Sequence, residues 1–147
     1  MGLQQQVMEQ MKAAMKAKDS VALASLRAIK SALLLAQTSG SGTITEDEEV
    51  KLVQKLVKQR KDSAAIYTEQ GREDLATPEL EQAAVIEQFL PEQLTEEEIE
   101  KVVVLTIEEL GASGMKDMGK VMGVVSKELA GQADGKTISS IVRSKLA

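Results

Sequence analysis

Pro91-Glu92-Gln93-Leu94-Thr95-Glu96-Glu97-Glu98-Ile99 decides how this chain folds. Val102, Val103, Leu105 and Ile107 follow, a run whose β-branched members suit a strand. The nine residues before it argue for a helix. Thr95 and Glu98 have the spacing of a capping box, in which each side chain satisfies the other residue's backbone N–H. Leu94 and Ile99 stand at the two positions of a hydrophobic staple. Gly111 supplies the C-terminal stop. A helix is therefore expected up to Leu110, with Val102, Val103, Leu105 and Ile107 inward. Pro91 breaks the chain before it and sets a domain boundary, residues 1–91 against 92–147.

Upstream, about four helices are expected. Leu3, Val7, Met11, Ala14 and Met15 recur at helical spacing in residues 3–18. Asp19-Ser20 caps a second helix, striped by Leu23, Leu26, Ile29, Leu33 and Leu34, with Arg27, Lys30 and Ser31 beside the stripe. Thr38-Ser39-Gly40-Ser41-Gly42 reads as a flexible loop. Thr45 with Glu48 opens a third helix that ends near Gly71. Leu52, Val53, Leu56 and Val57 are its buried face. Lys51, Lys55 and Lys58 form a basic stripe on it, and Arg60 and Lys61 follow. Such a stripe is ordinarily a solvated face. Thr77-Pro78-Glu79 reads as a fourth helix start, with Thr77 as N-cap and Pro78 at the first helical position. Ala83, Val85, Ile86, Phe89 and Leu90 give that helix its apolar side.

Downstream, Lys116-Asp117-Met118-Gly119-Lys120-Val121-Met122-Gly123 reads as part of a helix from Met115 to Leu129. Met118, Val121, Met122, Val125 and Leu129 form its apolar stripe. Each glycine costs about 1 kcal/mol relative to Ala in a helix interior. Gly119 and Gly123 lie one turn apart on one face, so that face is expected to serve close packing or a partner. Gly123 is expected to pack inward, leaving the Lys116/Lys120 end to a ligand. Asp134 caps a last helix with Ile138, Ile141, Val142 and Leu146 inward and Lys136, Arg143 and Lys145 outward. The fold class is all-α, an N-terminal helical bundle of about four helices plus a C-terminal three-helix tail domain.

The totals narrow the chemistry. The 147 residues contain no His and no Cys. That excludes His-based and Cys-based nucleophilic catalysis, disulfides and ordinary zinc sites. No metal and no cofactor are expected. One Tyr, one Phe and no Trp leave no platform for base stacking. Net charge is −5, unevenly spread. Residues 1–61 hold ten Lys/Arg against six Asp/Glu, residues 62–110 two against fourteen, and residues 111–147 six against three. The basic ends could meet a polyanion that the acidic middle would repel. No apolar run is expected to reach the ~20 residues of a membrane span, and no signal-peptide core opens the chain. A cytoplasmic location with no membrane partner is the expectation. Paired carboxylates such as Glu73 with Asp74 and Glu108 with Glu109 sit at helix starts or polar faces, where nothing tunes them for acid–base work. There is no phosphate-binding glycine motif of the P-loop or dinucleotide kind. The loop Gly111–Gly114 could offer N–H groups to a phosphate.

Several motifs in order carry a family likeness. Leu90-Pro91-Glu92-Gln93-Leu94-Thr95, Gly111-Ala112-Ser113, Asp117–Gly123 and Ala133-Asp134-Gly135 resemble the GatB/YqeY family. Leu26-Arg27-Ala28-Ile29-Lys30-Ser31 and Lys58-Gln59-Arg60-Lys61-Asp62-Ser63 resemble motifs of its stand-alone YqeY-like members. The resemblance implies a two-part helical protein. Its C-terminal half is similar to the tail domain of the GatB subunit of the tRNA-dependent amidotransferase, a domain implicated in holding tRNA. The cradle that bears that subunit's chemistry has no counterpart here, so a carbon–nitrogen ligase label with glutamine as amido-N-donor would be inherited from the shared tail. The leading expectation is a non-catalytic, tRNA-associated accessory module. Lys116, Lys120, Lys136, Arg143 and Lys145, with Arg27, Lys30, Lys58 and Arg60, are the candidate contacts, and Gly119 and Gly123 the close-packing or partner face. The alternatives are a protein-interaction module that docks an amidotransferase subunit or another translation partner, and an enzyme in its own right.

Overall fold

The computed structural model describes residues 2–40 and 42–147. Ser41, within the expected Thr38–Gly42 loop, lies outside the described residues, as does Met1. Among the described residues there are seven α-helices, one short 3-10 turn and no strand. The chain divides into two compact units, Met1–Leu90 and Pro91–Ala147.

The first unit holds α1 (Leu3–Ala17), α2 (Ser20–Thr38), α3 (Glu46–Glu69) and α4 (Glu73–Glu87). Lys18 ends α1 in the left-handed region at φ 55°, and the Asp19 carboxylate accepts from the Ala22 N–H at 3.0 Å to start α2. Thr45 Oγ1 accepts from the Glu48 N–H at 3.2 Å to start α3. The core is aliphatic: Val7, Ala14, Leu26, Ile29, Leu33, Val53, Val57, Ala83 and Ile86, with Phe89 and Leu90 packed against it. Small buried residues, Ala64 on α3 and Ala76 on α4, keep the α3–α4 hairpin tight.

Three expectations change here. The fourth helix starts at Glu73, so Thr77 is no cap and Pro78 lies inside the helix. The Arg72 carbonyl accepts from the Leu75 and Ala76 N–H groups at 3.1 and 3.0 Å, and Ala76 is fully buried. Burial of Ala76 offsets the one hydrogen bond Pro78 removes, whose acceptor belongs to the exposed Asp74. Met15 and Leu34, placed on apolar stripes, are 53% and 59% exposed. Finally, α2 is long and apolar enough, by length and composition alone, to cross a membrane. Its Ser25, Leu26, Ile29 and Leu33 are buried in the unit, with Arg27 and Lys30 midway along it, as in the core helix of a packed bundle.

The second unit is a three-helix arrangement of α5 (Glu96–Leu110), α6 (Met118–Glu128) and α7 (Gly135–Leu146), with the 3-10 turn Met115–Asp117 ahead of α6. The capping box closes on both sides: Thr95 Oγ1 accepts from the Glu98 N–H, and Glu98 Oε1 accepts from the Thr95 N–H, each at 3.2 Å. Gly111 takes φ 60° at the end of α5. Ile99, Val103, Val121, Val125, Leu129, Ala133, Ile138, Val142 and Leu146 form the core. Leu105 is 55% exposed, against expectation, and Thr106 is buried instead, its hydroxyl donating to the Val102 carbonyl at 2.8 Å. Polar Thr106 was hidden from an apolar-stripe reading because the helix backbone itself satisfies it. Asp134 occupies the N-cap position of α7 without a side-chain cap bond.

Candidate nucleic-acid interface

The family-like motifs of the second unit separate into scaffold and surface. Gln93 Nε2 donates to the carbonyls of Pro91 and Gly131 at 2.8 and 2.7 Å. The Leu94 N–H donates to the Gln132 carbonyl at 3.0 Å. These bonds stitch the segment before α5 to the α6–α7 connection. Gly131 is buried there at φ 80°, a conformation that favours glycine. Leu94 packs on the core that contains Ile99, as a staple requires.

The loop Gly111–Gly114 is not an anion cradle. The Gly111 N–H donates to the Glu108 carbonyl and the Ala112 N–H to the Ile107 carbonyl. The Ser113 N–H donates to Asp117 Oδ2 at 2.9 Å. Three of its four backbone N–H groups are taken, and a carboxylate stands where a phosphate would have to come. Asp117 thus closes the loop that leads into α6.

Within Met118–Gly123 the side chains divide by face. Val121 is buried and Met118 and Met122 are half-buried on the core. Gly119, Lys120 and Gly123 are exposed. A Cβ placed on either glycine meets no atom within 4 Å. Gly123 therefore does not pack inward, and no helix of this unit makes use of the bare face. The inward positions were filled by Val121, Val125 and Leu129, which left the glycine stripe on the outside. Lys116, Gly119, Lys120 and Gly123 follow helical spacing, and exposed Lys127 extends the line. Lys127 was missed from sequence, although its seven-residue offset from Lys120 marks it.

The cations differ in what they are already doing. Lys116, Lys120, Lys136 and Arg143 are exposed and make no ion pair among the described residues. Lys136 and Arg143 lie two turns apart on α7 with exposed Ser140 between them. Lys145 is engaged, its Nζ 2.6 Å from Glu100 Oε1, which ties α7 to α5. Charge is partitioned inside this unit: α5 carries six Glu and one Lys, whereas the 3-10 turn, α6 and α7 together carry all the other Lys and Arg.

Of the four first-unit candidates, Lys58 and Arg60 serve the fold. Lys58 pairs with Asp62 at 3.2 Å, and Lys61 with Glu87 at 3.3 Å. Arg60 donates to Gln82 Oε1 and to the Leu56 carbonyl, each at 3.1 Å, bracing α3 against α4. Arg27 and Lys30 are exposed on α2 without ion pairs among the described residues.

No constellation for acid–base work assembles among the described residues. The Arg72 guanidinium, bonded to both oxygens of Asp74, holds that carboxyl below its ordinary range. Burial, with Glu46 nearby, pushes Glu49 upward. Both lie on helix first turns of the first unit. No group of three or more acidic side chains is placed to hold a metal ion among the described residues.

Residues 4–146 match the family described as "Yqey-like protein". A glutamyl-tRNA(Gln) amidotransferase subunit from Thermococcus gammatolerans is 35% identical over 104 residues, which cover 68% of this chain and 17% of that protein. The protein called altered inheritance of mitochondria protein 41, mitochondrial, is 30% identical over 136 residues in Pyrenophora tritici-repentis, covering 90% of this chain and 75% of that protein. Its namesake in Clavispora lusitaniae is 32% identical over 122 residues, covering 81% and 69%. The chain thus spans a small part of the amidotransferase component and most of the other two.

Proposed function

The chain belongs to the YqeY-like protein family, and from that premise we propose that it is a non-catalytic accessory module that holds tRNA by its phosphate backbone. The observation that carries this reading is the outward half of the α6 motif. Gly119, Lys120 and Gly123 do nothing for the packing of their own unit. A helix side without Cβ atoms lets a bulky backbone come close, and Lys116, Lys120 and Lys127 along it supply ammonium groups. Lys136 and Arg143 on α7 add two more cations. Such contacts position a nucleic acid by charge and shape, without base stacking. The relative named for glutamyl-tRNA(Gln) supports a tRNA rather than another polyanion. This chain matches only a minor share of that relative's length, so amidotransfer is left out of the proposal. The proposed place of action is the cytoplasm, checked by cell fractionation.

Filter binding with a tRNA transcript tests the reading. Retention is expected at low salt and should fall steeply as salt rises, with a log–log slope of roughly −0.7 to −0.9 per phosphate neutralised. Lys120→Glu should weaken retention. No retention at low salt, or retention indifferent to Lys120→Glu, overturns the proposal. Amidation of a misacylated tRNA by the purified chain with glutamine would overturn its non-catalytic part.

A further inference from the structure

Between α2 and α3 of the first unit runs an open groove of ≈ 500 Å³. Leu35 and Ala36 of α2 and Leu52 and Leu56 of α3 give it an apolar floor. Leu35 is 69% exposed, more than any other large hydrophobic side chain among the described residues. The α2 wall, Ala32 to Ser39, carries no charge. The α3 wall carries Lys51 and Lys55, one turn apart, with Glu48 at the loop end. Neither lysine makes an ion pair among the described residues, whereas Lys58 and Lys61 further along the same helix both do. The groove therefore keeps two like charges side by side above exposed leucine, an arrangement that is mildly unfavourable until something covers it.

We infer that this groove docks an acidic amphipathic helix from a partner protein. The lining on α3 runs from Glu48 to Gln59, about 16 Å at 1.5 Å per residue, the length of three helical turns. An occupant with apolar residues at i, i+3/i+4 and i+7 would cover Leu35, Leu52 and Leu56. Carboxylates at i and i+4 on one flank would meet Lys51 and Lys55. Charge on one wall only sets which flank of the helix faces α3. A nucleic acid fits this lining poorly, since more than half of the lining is apolar and the Glu48 carboxylate beside the two lysines repels phosphate. The inference rests on the first unit alone and is independent of the tRNA proposal.

The probe is a fluorescein-labelled eighteen-residue peptide, helical by design, with leucines on one face and glutamates along one flank, titrated by fluorescence anisotropy into the full chain. Saturable binding is expected. Leu35→Asp should weaken it about tenfold or more, because a charge then sits in the apolar floor. The double variant Lys51→Glu/Lys55→Glu should lose the acidic peptide and gain the same peptide with lysines in place of its glutamates. Circular dichroism confirms that each variant keeps its helix content. Three results overturn the inference: binding that ignores both variants; a wild-type dimer in sedimentation that Leu35→Asp dissolves, which assigns the groove to a second copy; or association with phosphatidylglycerol vesicles, abolished by Leu35→Asp, in a chain that ignores the peptide.

Discussion

Two helical regions carry basic stripes that look alike in sequence, residues 51–61 on α3 and residues 116–145 across α6 and α7. On α3, Lys58, Arg60 and Lys61 are spent on Asp62, Gln82 and Glu87, and only the groove-facing Lys51 and Lys55 stay unpaired among the described residues. On α6 and α7 the balance is reversed: only Lys145 is engaged, and Lys116, Lys120, Lys136 and Arg143 point to solvent without ion pairs among the described residues. A surface ion pair contributes little to stability, about 0–1 kcal/mol. It does neutralise a cation that would otherwise be available to a polyanion. Counting cations therefore overstates α3 relative to the tail as an anion-binding surface.

The strongest way to break the comparison is to remove one core and watch the other. Leu26→Ala, at a fully buried site of α2, should cost about 2–5 kcal/mol. Hydrogen exchange should then show protection lost through α1–α4 and kept in α5–α7. Loss in both would mean that the two stripes belong to one cooperative body.

Charge reversal compares the stripes directly. Lys120→Glu should weaken tRNA retention about tenfold at low salt, equivalent to roughly 1.4 kcal/mol, while Lys58→Glu changes it by no more than about twofold. Equal effects would erase the distinction between the stripes. Thr95→Ala should destabilise the second unit by about 1 kcal/mol through loss of the hydroxyl that accepts from the Glu98 N–H, the side-chain half of its capping box. Asp134→Ala should cost less, since that side chain makes no cap bond; urea melts of the two variants rank them.

Gly123→Ala carries the opposite sign. With open space around the added methyl, it should stabilise α6 by about 0.4–1 kcal/mol. Gly123→Leu should obstruct tRNA without unfolding the unit. A Gly123→Ala variant that melts earlier would mean the face is packed after all.

The smallest expected effect is at Glu49. Its folded pKa is raised, chiefly by burial and secondarily by Glu46. Its contribution to stability is therefore complete below the ordinary carboxylate value and is lost as pH rises through the raised one. Glu49→Gln should make the chain slightly more stable at neutral pH, with the gain vanishing in acid. Asp74 runs the other way: the hydrogen bond to Arg72 stabilises the fold above the ordinary value and is lost as pH falls through the depressed one.

Much of the fold was legible before any tertiary contact. Thr95, Glu98, Leu94, Ile99 and Gly111 announce α5 because capping is local chemistry, read within a few residues. Asp19 and Thr45 do the same for α2 and α3. Thr77-Pro78 misled because the pattern is equally local, and burial of Ala76 outweighed it. The candidate site was legible as a set of residue types but not as a surface. Lys145 and Lys120 look equivalent in sequence until Glu100 is found beside one of them.

The amino-acid sequence alone determined that the chain is helical, where most helices begin and end, and that His- and Cys-based chemistry is absent. These follow from short-range hydrogen bonding, side-chain periodicity and composition. Tertiary structure decided which faces are left over. Whether Gly123 packs or stays bare, and whether Lys61 and Lys145 are spent on Glu87 and Glu100, depends on which residues far apart in the chain are brought within a few ångströms. No local pattern encodes that.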